Sequence, residues 1–169
     1  SAWYLLAKAR QAQKLHWEAD AAFSTCIALN ANCWVAWQDR AIVRLKLNRT
    51  QEAADDCSQL IRLRPDAASG YLNRALAEIA LKHFASAEHD LSLAIRFDGP
   101  TRAYFLRSQV RQHQGNQPGA KSDYEAGLRI VPNDVDSWLT RGMAYLQQDP
   151  QKALADFEQA LKLNPLSRD

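Results

Sequence analysis

The chain has 169 residues, 47% of them hydrophobic, with only six Gly and six Pro. This balance is typical of a helix-rich globular protein. Its 21 Lys and Arg residues nearly match its 19 Asp and Glu residues, for a formal net charge of +2. Because nucleic-acid-binding surfaces concentrate positive charge, this pattern argues against nucleic acid as a partner.

Membrane insertion is not expected either, since no apolar run approaches the roughly 18 residues that a membrane-spanning helix needs. The chain begins at Ser1 without Met and stops soon after the end of a repeat. We therefore expect it to be a fragment of a larger protein.

The hydrophobic pattern and its Gly, Pro and Asn breakers predict ten helices, and hence an all-α fold. The predicted helices span residues 2–13, 17–30, 34–47, 51–63, 68–81, 84–96, 101–114, 118–130, 135–147 and 150–163. Pro118 and Pro150 fall in predicted first turns, where a missing N–H costs nothing. Asn48, Gly115 and Asp149 mark turns between paired helices.

The helices repeat in pairs at steps of 33 or 34 residues. Each first helix carries an aromatic residue, followed one turn later by a small one. These two columns are Trp3, Trp37, Tyr71, Tyr104 and Trp138, then Ala7, Ala41, Ala75, Ser108 and Gly142. The second helices carry Ala19, Ala53, Ala87, Ala120 and Ala153, then Phe23, Cys57, Leu91, Tyr124 and Phe157, then Cys26, Leu60, Ala94, Gly127 and Ala160. Small residues let crossing helices approach closely, and the facing aromatic fills the adjoining space.

The step is one residue short in two places, at Asp98-Gly99-Pro100 and in the turn from Gln147 to Pro150. We expect a missing residue to alter the local angle between neighbouring helices.

These columns resemble the tetratricopeptide repeat (TPR), a helix-turn-helix unit of about 34 residues, seen here in five tandem copies. The copies cover about residues 1–33, 34–67, 68–100, 101–134 and 135–167 of a single repeat domain, 1–169. The resemblance implies a right-handed α-solenoid of about ten antiparallel helices. It also implies that the first helices line a concave groove that binds an extended peptide or a helix of a partner protein.

Two charged columns vary together among the copies. Arg40, Arg74, Arg107 and Arg141 precede the small residue, and Asp56, Asp90, Asp123 and Asp156 precede the core position of the second helix. The first copy has Leu6 and Ala22 instead. Because the first copy lacks the Arg and the Asp together, we predict that the two columns form ion pairs, either within a repeat or between neighbouring repeats. The alternative is that both columns are solvent-exposed helix faces.

Another column departs from the family, which often has Tyr there. It holds Arg10, Arg44, Glu78, Arg111 and Tyr145. The alternating signs of Arg44, Glu78 and Arg111 are compatible with pairing across repeats, and equally with long side chains whose stems cover apolar surface.

The predicted groove face of the first helices is apolar in its middle. The candidate partner-binding residues are Ile42, Leu72, Asn73, Leu76, Arg102, Phe105, Gln109, Leu139 and Met143. A contiguous apolar band of this kind marks an interface. Phe105 and Met143 are the strongest candidates because they are large and are flanked by polar residues. The alternative is that part of the band packs against the next first helix and never reaches solvent.

One TPR subclass holds acidic C-terminal carboxylates with a set of Lys, Asn and Arg residues. Laid on copies two to four, this pattern matches Asn73 and Arg102, whereas Gln38, Ile42 and Leu106 stand where Lys, Asn and Arg are required. The sequence therefore argues against carboxylate-tail binding.

No catalytic motif is present, and His16, His83, His89 and His113 lack metal-ligand spacing. We expect no enzyme activity, no cofactor and no metal. Cys26, Cys33 and Cys57 lack redox or metal spacing, which favours free thiols in a reducing compartment and a cytoplasmic location.

The sequence thus predicts a protein interaction scaffold that holds a peptide or helix in its groove. Two alternatives stay open. One is self-association into a homo-oligomer through an uncapped end of the array, since repeat arrays need a polar terminal cap. The other is single-stranded RNA binding, which the shortage of cations on the inner face disfavours.

Overall fold

The computed structural model describes residues 1–164, which form ten helices and no strand. The helices are α1 (Ala2–Ala12), α2 (His16–Leu29), α3 (Trp34–Lys46), α4 (Thr50–Leu63), α5 (Ala68–Ala80), α6 (Phe84–Arg96), α7 (Arg102–His113), α8 (Gln117–Arg129), α9 (Val135–Tyr145) and α10 (Pro150–Leu163). The predicted all-α fold and its helices are confirmed, with bounds shifted by two residues at most. Pro165, which the repeat pattern places at the end of the last copy, lies outside the described residues.

Capping side chains begin several of the helices. Asn116, Asp134 and Asp149 each accept a hydrogen bond from the backbone N–H three residues later, at 2.9 to 3.2 Å. Pro118 and Pro150 lie in the first turns of α8 and α10, as predicted. These residues satisfy or remove N–H groups that have no partner inside the helix.

The turns within the first four pairs share one backbone geometry. Their central residues, Lys14, Asn48, Lys82 and Gly115, all have positive φ, between 58° and 79°. Only Gly adopts this conformation without steric cost. In the other three residues, the packing of the two helices on either side of the turn compensates for the cost. The fifth turn, from Leu146 to Asp149, is built without such a residue. It is the turn in which the sequence lacks one residue.

The helices fall into two compact units, Ser1–Phe97 with α1 to α6 and the part from Asp98 onward with α7 to α10. The boundary coincides with Asp98-Gly99-Pro100, where the repeat step is one residue short, and Asp98 itself has a φ of 54°. That the five copies form a single domain stays a prediction.

Within each unit, every helix packs against the next one in the chain. The small columns of the sequence lie in the core, since Ala7, Ala41, Ala75, Ala53 and Ala87 are fully buried. The core has little spare room where the column holds glycine. A Cβ at Gly142 would lie 2.6 Å from Cε1 of Phe157.

The predicted Arg–Asp pairing is confirmed, and every pair lies within one repeat. The pairs are Arg40–Asp56, Arg74–Asp90, Arg107–Asp123 and Arg141–Asp156. In each, Nε and Nη2 donate to the two carboxylate oxygens at 2.6 to 2.9 Å. The four aspartates are 2 to 4% exposed. These are the strong, bidentate kind of ion pair, and they tie the two helices of a repeat together.

Arg44 pairs both across and within repeats. Its Nε donates to Asp20 of the first copy at 2.8 Å, and its Nη1 donates to Asp56 at 2.9 Å. Glu78 instead binds His83 of its own repeat. Arg44 is therefore held by aspartates of the second helices, and Glu78 is held by His83, the residue before α6.

Candidate partner-binding surface

The predicted binding residues lie on first helices that contact one another within each unit, α3 with α5 and α7 with α9. In the first unit these residues are Ile42 on α3 and Leu72, Asn73 and Leu76 on α5. In the second unit they are Arg102, Phe105 and Gln109 on α7 and Leu139 and Met143 on α9.

Solvent reaches only some of these side chains. Met143 is 69% exposed and Leu139 is 37% exposed, and Gln109 is also exposed. Ile42, Leu76 and Arg102 are half-buried. The exposed members are concentrated in the second unit.

Leu72, Asn73 and Phe105 are buried, with exposures of 2%, 7% and 4%. Phe105 is therefore not an exposed side chain, and its contact with a partner stays a prediction. Its ring covers the position where Gly127 of α8 lacks a side chain, so that a Cβ there would lie 2.8 Å from the ring. The ring also packs edge-on against Tyr124, with centroids 5.7 Å apart. Leu72 and Phe105 thus belong to the part of the apolar band that does not reach solvent, although Phe105 packs against α8 of its own repeat and not against the next first helix.

A pocket of ≈ 480 Å³ lies between α7, α8 and α9 in the second unit. It is lined by Phe105, Leu106, Ser108, Gln109, Gln112, Tyr124, Thr140, Met143 and Ala144. This volume is within the range of pockets that bind small ligands or single side chains. Phe105 lines the pocket as a buried wall, and Met143 lines it from the exposed side.

The lining of this pocket is uncharged, with amide and hydroxyl groups beside apolar carbon. The Tyr124 hydroxyl donates to the backbone oxygen of Ala144 at 2.8 Å, and burial raises the pKa of Tyr124. Tyr124 therefore stays neutral at physiological pH. The pocket suits an apolar group accompanied by hydrogen-bonding amides, and its lining contains no acid–base pair for catalysis.

Sequence reasoning missed several members of this lining, including Tyr124, Thr140 and Ala144. The repeat pattern places Tyr124 in the core column of the second helices and Ala144 in a column of Ala and Val, whereas Thr140 belongs to a column without a strong pattern. The available signal was Gly127 in a column that elsewhere holds Ala, Cys or Leu. A missing side chain there draws a neighbouring aromatic inward.

The inner face of the first unit is more polar. The Tyr4 hydroxyl donates to Asp39 at 2.8 Å, and Nζ of Lys8 lies 3.3 Å from the same carboxylate. Burial, followed by the hydrogen bond to Asp39, raises the pKa of Tyr4 to about 12. Ser69 donates to Gln38 at 2.7 Å. These groups satisfy one another across α1, α3 and α5, and Asp39 was not among the predicted inner-face residues.

The carboxylate-binding pattern remains incomplete in the structure. Asn73 is buried, and the guanidinium of Arg102 is paired with Asp136. Arg102 keeps one buried donor, Nε, without a hydrogen-bond partner among the described residues.

Within residues 1–164, no cluster of three or more His, Cys, Asp or Glu side chains could hold a metal ion. None of the helices in this part of the chain combines the length and the apolar character needed to cross a membrane.

Residues 135–167, the last copy, match the tetratricopeptide repeat family model. The chain is 26% identical over 173 residues to the DnaJ homolog subfamily C member 7 homolog of Schizosaccharomyces pombe, an alignment that covers 90% of this chain and 36% of that protein. The chain thus spans about a third of the length of this relative.

Solved structures share the fold over nearly the whole chain. A thermophilic TPR protein of Thermus thermophilus matches with a TM-score of 0.73 at 20% identity, covering 98% of this chain and 92% of that one. YrrB, described as a TPR protein with an unusual peptide-binding site, matches with a TM-score of 0.69 at 18% identity, covering 98% and 86%. Residues 135–167 thus match the tetratricopeptide repeat family, and the chain as a whole has the fold of tetratricopeptide repeat arrays.

Proposed function

We propose that the chain is a protein interaction module that seats an apolar side chain of a partner peptide or helix in the pocket between α7, α8 and α9. The observation that carries this proposal is the uncharged pocket of ≈ 480 Å³, bordered by Met143, a residue that is 69% exposed. Proteins with tetratricopeptide repeats mediate protein–protein interactions, and the pocket lies against the first helices.

The chemistry of the lining supports an apolar side chain as the bound group. An apolar side chain displaces water from the walls formed by Phe105 and Met143 without desolvating any charge. The Gln109 and Gln112 amides, which offer both donors and acceptors, bind the peptide backbone beside it. Met143 adapts its unbranched thioether to the shape of the bound group. Leu139, on the same helix and 37% exposed, extends the apolar contact.

In the first unit, Ile42 and Leu76 provide a second apolar contact on α3 and α5. Leu72 and Asn73 support α5 from within. In the second unit, Phe105 supports α7 from within, and Arg102 with Asp136 forms a polar border. Three free cysteines, two of them buried, agree with a reducing compartment, and we place the protein in the cytoplasm.

The experiment selects binding peptides from a random library displayed on phage, using the 169-residue chain as bait. Enriched peptides are then titrated by fluorescence anisotropy against the wild type, Met143→Asp and Leu154→Asp. Leu154 is the matched control because it is 55% exposed on α10 and does not line the pocket.

We expect Met143→Asp to weaken binding by at least about tenfold, or ~1.4 kcal/mol, because it places a carboxylate beside an apolar group. Leu154→Asp retains wild-type affinity, and circular dichroism melting verifies that both variants are folded. Equal affinity of the wild type and Met143→Asp contradicts the proposal, as does failure to enrich any peptide.

A second candidate function is self-association through α10. Leu154 and Leu161, two turns apart on one side of this helix, are 55% and 48% exposed, which makes an apolar face. Light scattering over a dilution series tests it, and a constant monomer mass at all concentrations refutes it.

A further inference from the structure

The repeats of this chain bind their buried aspartates with different numbers of arginines. In the second copy, Asp56 accepts hydrogen bonds from Arg40 and also from Nη1 of Arg44, at 2.9 Å. In the fourth copy, Asp123 accepts from Arg107 and also from Nη1 of Arg111, again at 2.9 Å. Two guanidinium groups therefore share one carboxylate in both copies.

The second arginine has the same two neighbours each time. Nη1 of Arg44 also donates to the backbone oxygen of Glu52 at 3.4 Å, and Nη1 of Arg111 donates to that of Gly119 at 3.5 Å. Glu52 and Gly119 occupy one repeat position, four residues before the aspartate. The aspartate carboxylate and this backbone oxygen are thus two acceptors that together bind one guanidinium group, and we call them the guanidinium site. Arg44 and Arg111 of the chain itself occupy the site in the second and fourth copies.

The third copy has the site without the arginine. Glu78 stands where the other copies have Arg44 and Arg111. Asp90 is 2% exposed and, among the described residues, is bound by Arg74 alone, at 2.7 and 2.8 Å. Ser86 holds the position of the backbone oxygen.

A pocket of ≈ 470 Å³ opens at this place in the first unit. It is lined by Ser58, Arg74, Glu78, Ala85, Ser86, His89 and Asp90. Both acceptors of the guanidinium site are among these residues. Ala85, Ser86 and His89 are not buried, so solvent reaches the pocket.

The Glu78 carboxylate reverses the charge of the site. In the second and fourth copies an arginine adds a positive charge beside the ion pair, whereas here the ion pair of Arg74 and Asp90 is joined by a negative charge. The Glu78 carboxylate is 2.7 Å from Nδ1 of His83, which holds it beside the pocket. An incoming cation therefore meets this additional carboxylate as well as the two acceptors.

We propose that this pocket binds the guanidinium group of an arginine side chain from a partner protein, which takes the place that Arg44 and Arg111 fill in their own repeats. The planar guanidinium donates to the Asp90 carboxylate, to the Ser86 backbone oxygen and to Glu78. A lysine ammonium carries the charge but lacks the fork of donors that the site matches in the other two copies. The site lies in the first unit and is independent of the apolar pocket of the proposed function.

The test uses N-acetyl-arginine-N-methylamide as the probe and N-acetyl-citrulline-N-methylamide as its neutral isostere. Each is titrated into the ¹⁵N-labelled 169-residue chain, and backbone amide shifts of Ser86 and His89 are followed by NMR. We expect saturable shifts in the millimolar range with the arginine probe. Affinity for the citrulline compound should be at least about tenfold lower, because its hydrogen bonds are not charge-assisted.

Three variants test whether the arginine probe binds at this pocket. Glu78→Arg fills the pocket with the chain's own guanidinium, so it should abolish binding of the probe and raise the melting temperature. Glu78→Gln, which keeps the size of the side chain, should weaken binding. Glu158→Arg makes the same charge change on α10, away from the pocket, and should leave binding unchanged.

The proposal is overturned if the arginine and citrulline compounds bind equally well, or if neither produces saturable shifts at Ser86 and His89. It is also overturned if Glu78→Arg or Glu78→Gln binds the arginine probe as tightly as the wild type does. If Glu78→Arg does not fold, the Glu78→Gln variant and the citrulline compound still test the proposal.

Discussion

The guanidinium of Arg74 and the carboxylate of Asp90 form two parallel hydrogen bonds, of 2.7 and 2.8 Å, between the two helices of the third repeat. Equivalent pairs join the helices of the second, fourth and fifth repeats. The first repeat has Leu6 and Ala22 at these positions, so its helices lack this ion pair.

Removing the Asp90 carboxylate should strongly destabilise the chain. Asp90→Ala leaves the Arg74 guanidinium partly buried without its partner, which costs about 3 kcal/mol of unfolding free energy. The control is Asp66→Ala, which removes an exposed carboxylate 3.3 Å from Arg64 and should cost less than about 1 kcal/mol. Urea unfolding followed by circular dichroism measures both changes. Equal stability of the two variants would show that the buried pairs contribute little.

Adding one methyl group at Gly142 should also destabilise the chain. The new Cβ of Gly142→Ala would lie 2.6 Å from the Phe157 ring, and such overpacking costs about 1–3 kcal/mol. Phe157→Leu in the same chain removes the clashing ring edge. We expect the double variant to lose less stability than the sum of the two single variants, as thermal unfolding will measure. Strict additivity would mean that the two residues do not interact.

The buried thiol of Cys57 gives a prediction about pH. Burial raises the pKa of Cys57 from 9.0 to about 12, so the folded chain retains this proton where the unfolded chain releases it. Titration of Cys57 therefore leaves the unfolding free energy unchanged below about pH 9 and lowers it as the pH rises from there toward about 12. Wild-type protein should lose more unfolding free energy than Cys57→Ala over this interval. Parallel losses in the two proteins would contradict the assignment.

Helix positions could be predicted from sequence because five copies of one pattern reinforce each other. The largest deviation is in α9, which ends at Tyr145 where the pattern predicted 147. Its turn has lost a residue, so the other four copies could not serve as a guide there. The pairing of the Arg and Asp columns was also predictable, because Leu6 and Ala22 replace both partners together. Whether a pair forms within or between repeats depends on the packing of two helices, which the spacing does not determine.

The binding surface was less predictable than the fold. Phe105 and Met143 both lie on the predicted inner face of the first helices, but in different columns. Leu72, the counterpart of Phe105 in the third copy, is also buried, whereas Gln109, the counterpart of Met143 in the fourth copy, is also exposed. The Phe105 ring in addition fills the space left by Gly127, 22 residues further along the chain. The replacement of arginine by Glu78 can likewise be seen in the sequence. That it leaves the Asp90 carboxylate with one arginine instead of two follows only from the packing of α6 against α5.

Met143 offers the most direct test of the proposed partner site, because it is the single methionine in the sequence. A chain labelled with ¹³C-methyl methionine gives one methyl signal, located at the edge of the pocket between α7, α8 and α9. We predict that a selected peptide shifts this signal saturably, with the same dissociation constant that fluorescence anisotropy reports. A methyl signal that stays in place while the peptide binds would put the binding site elsewhere and contradict the central claim.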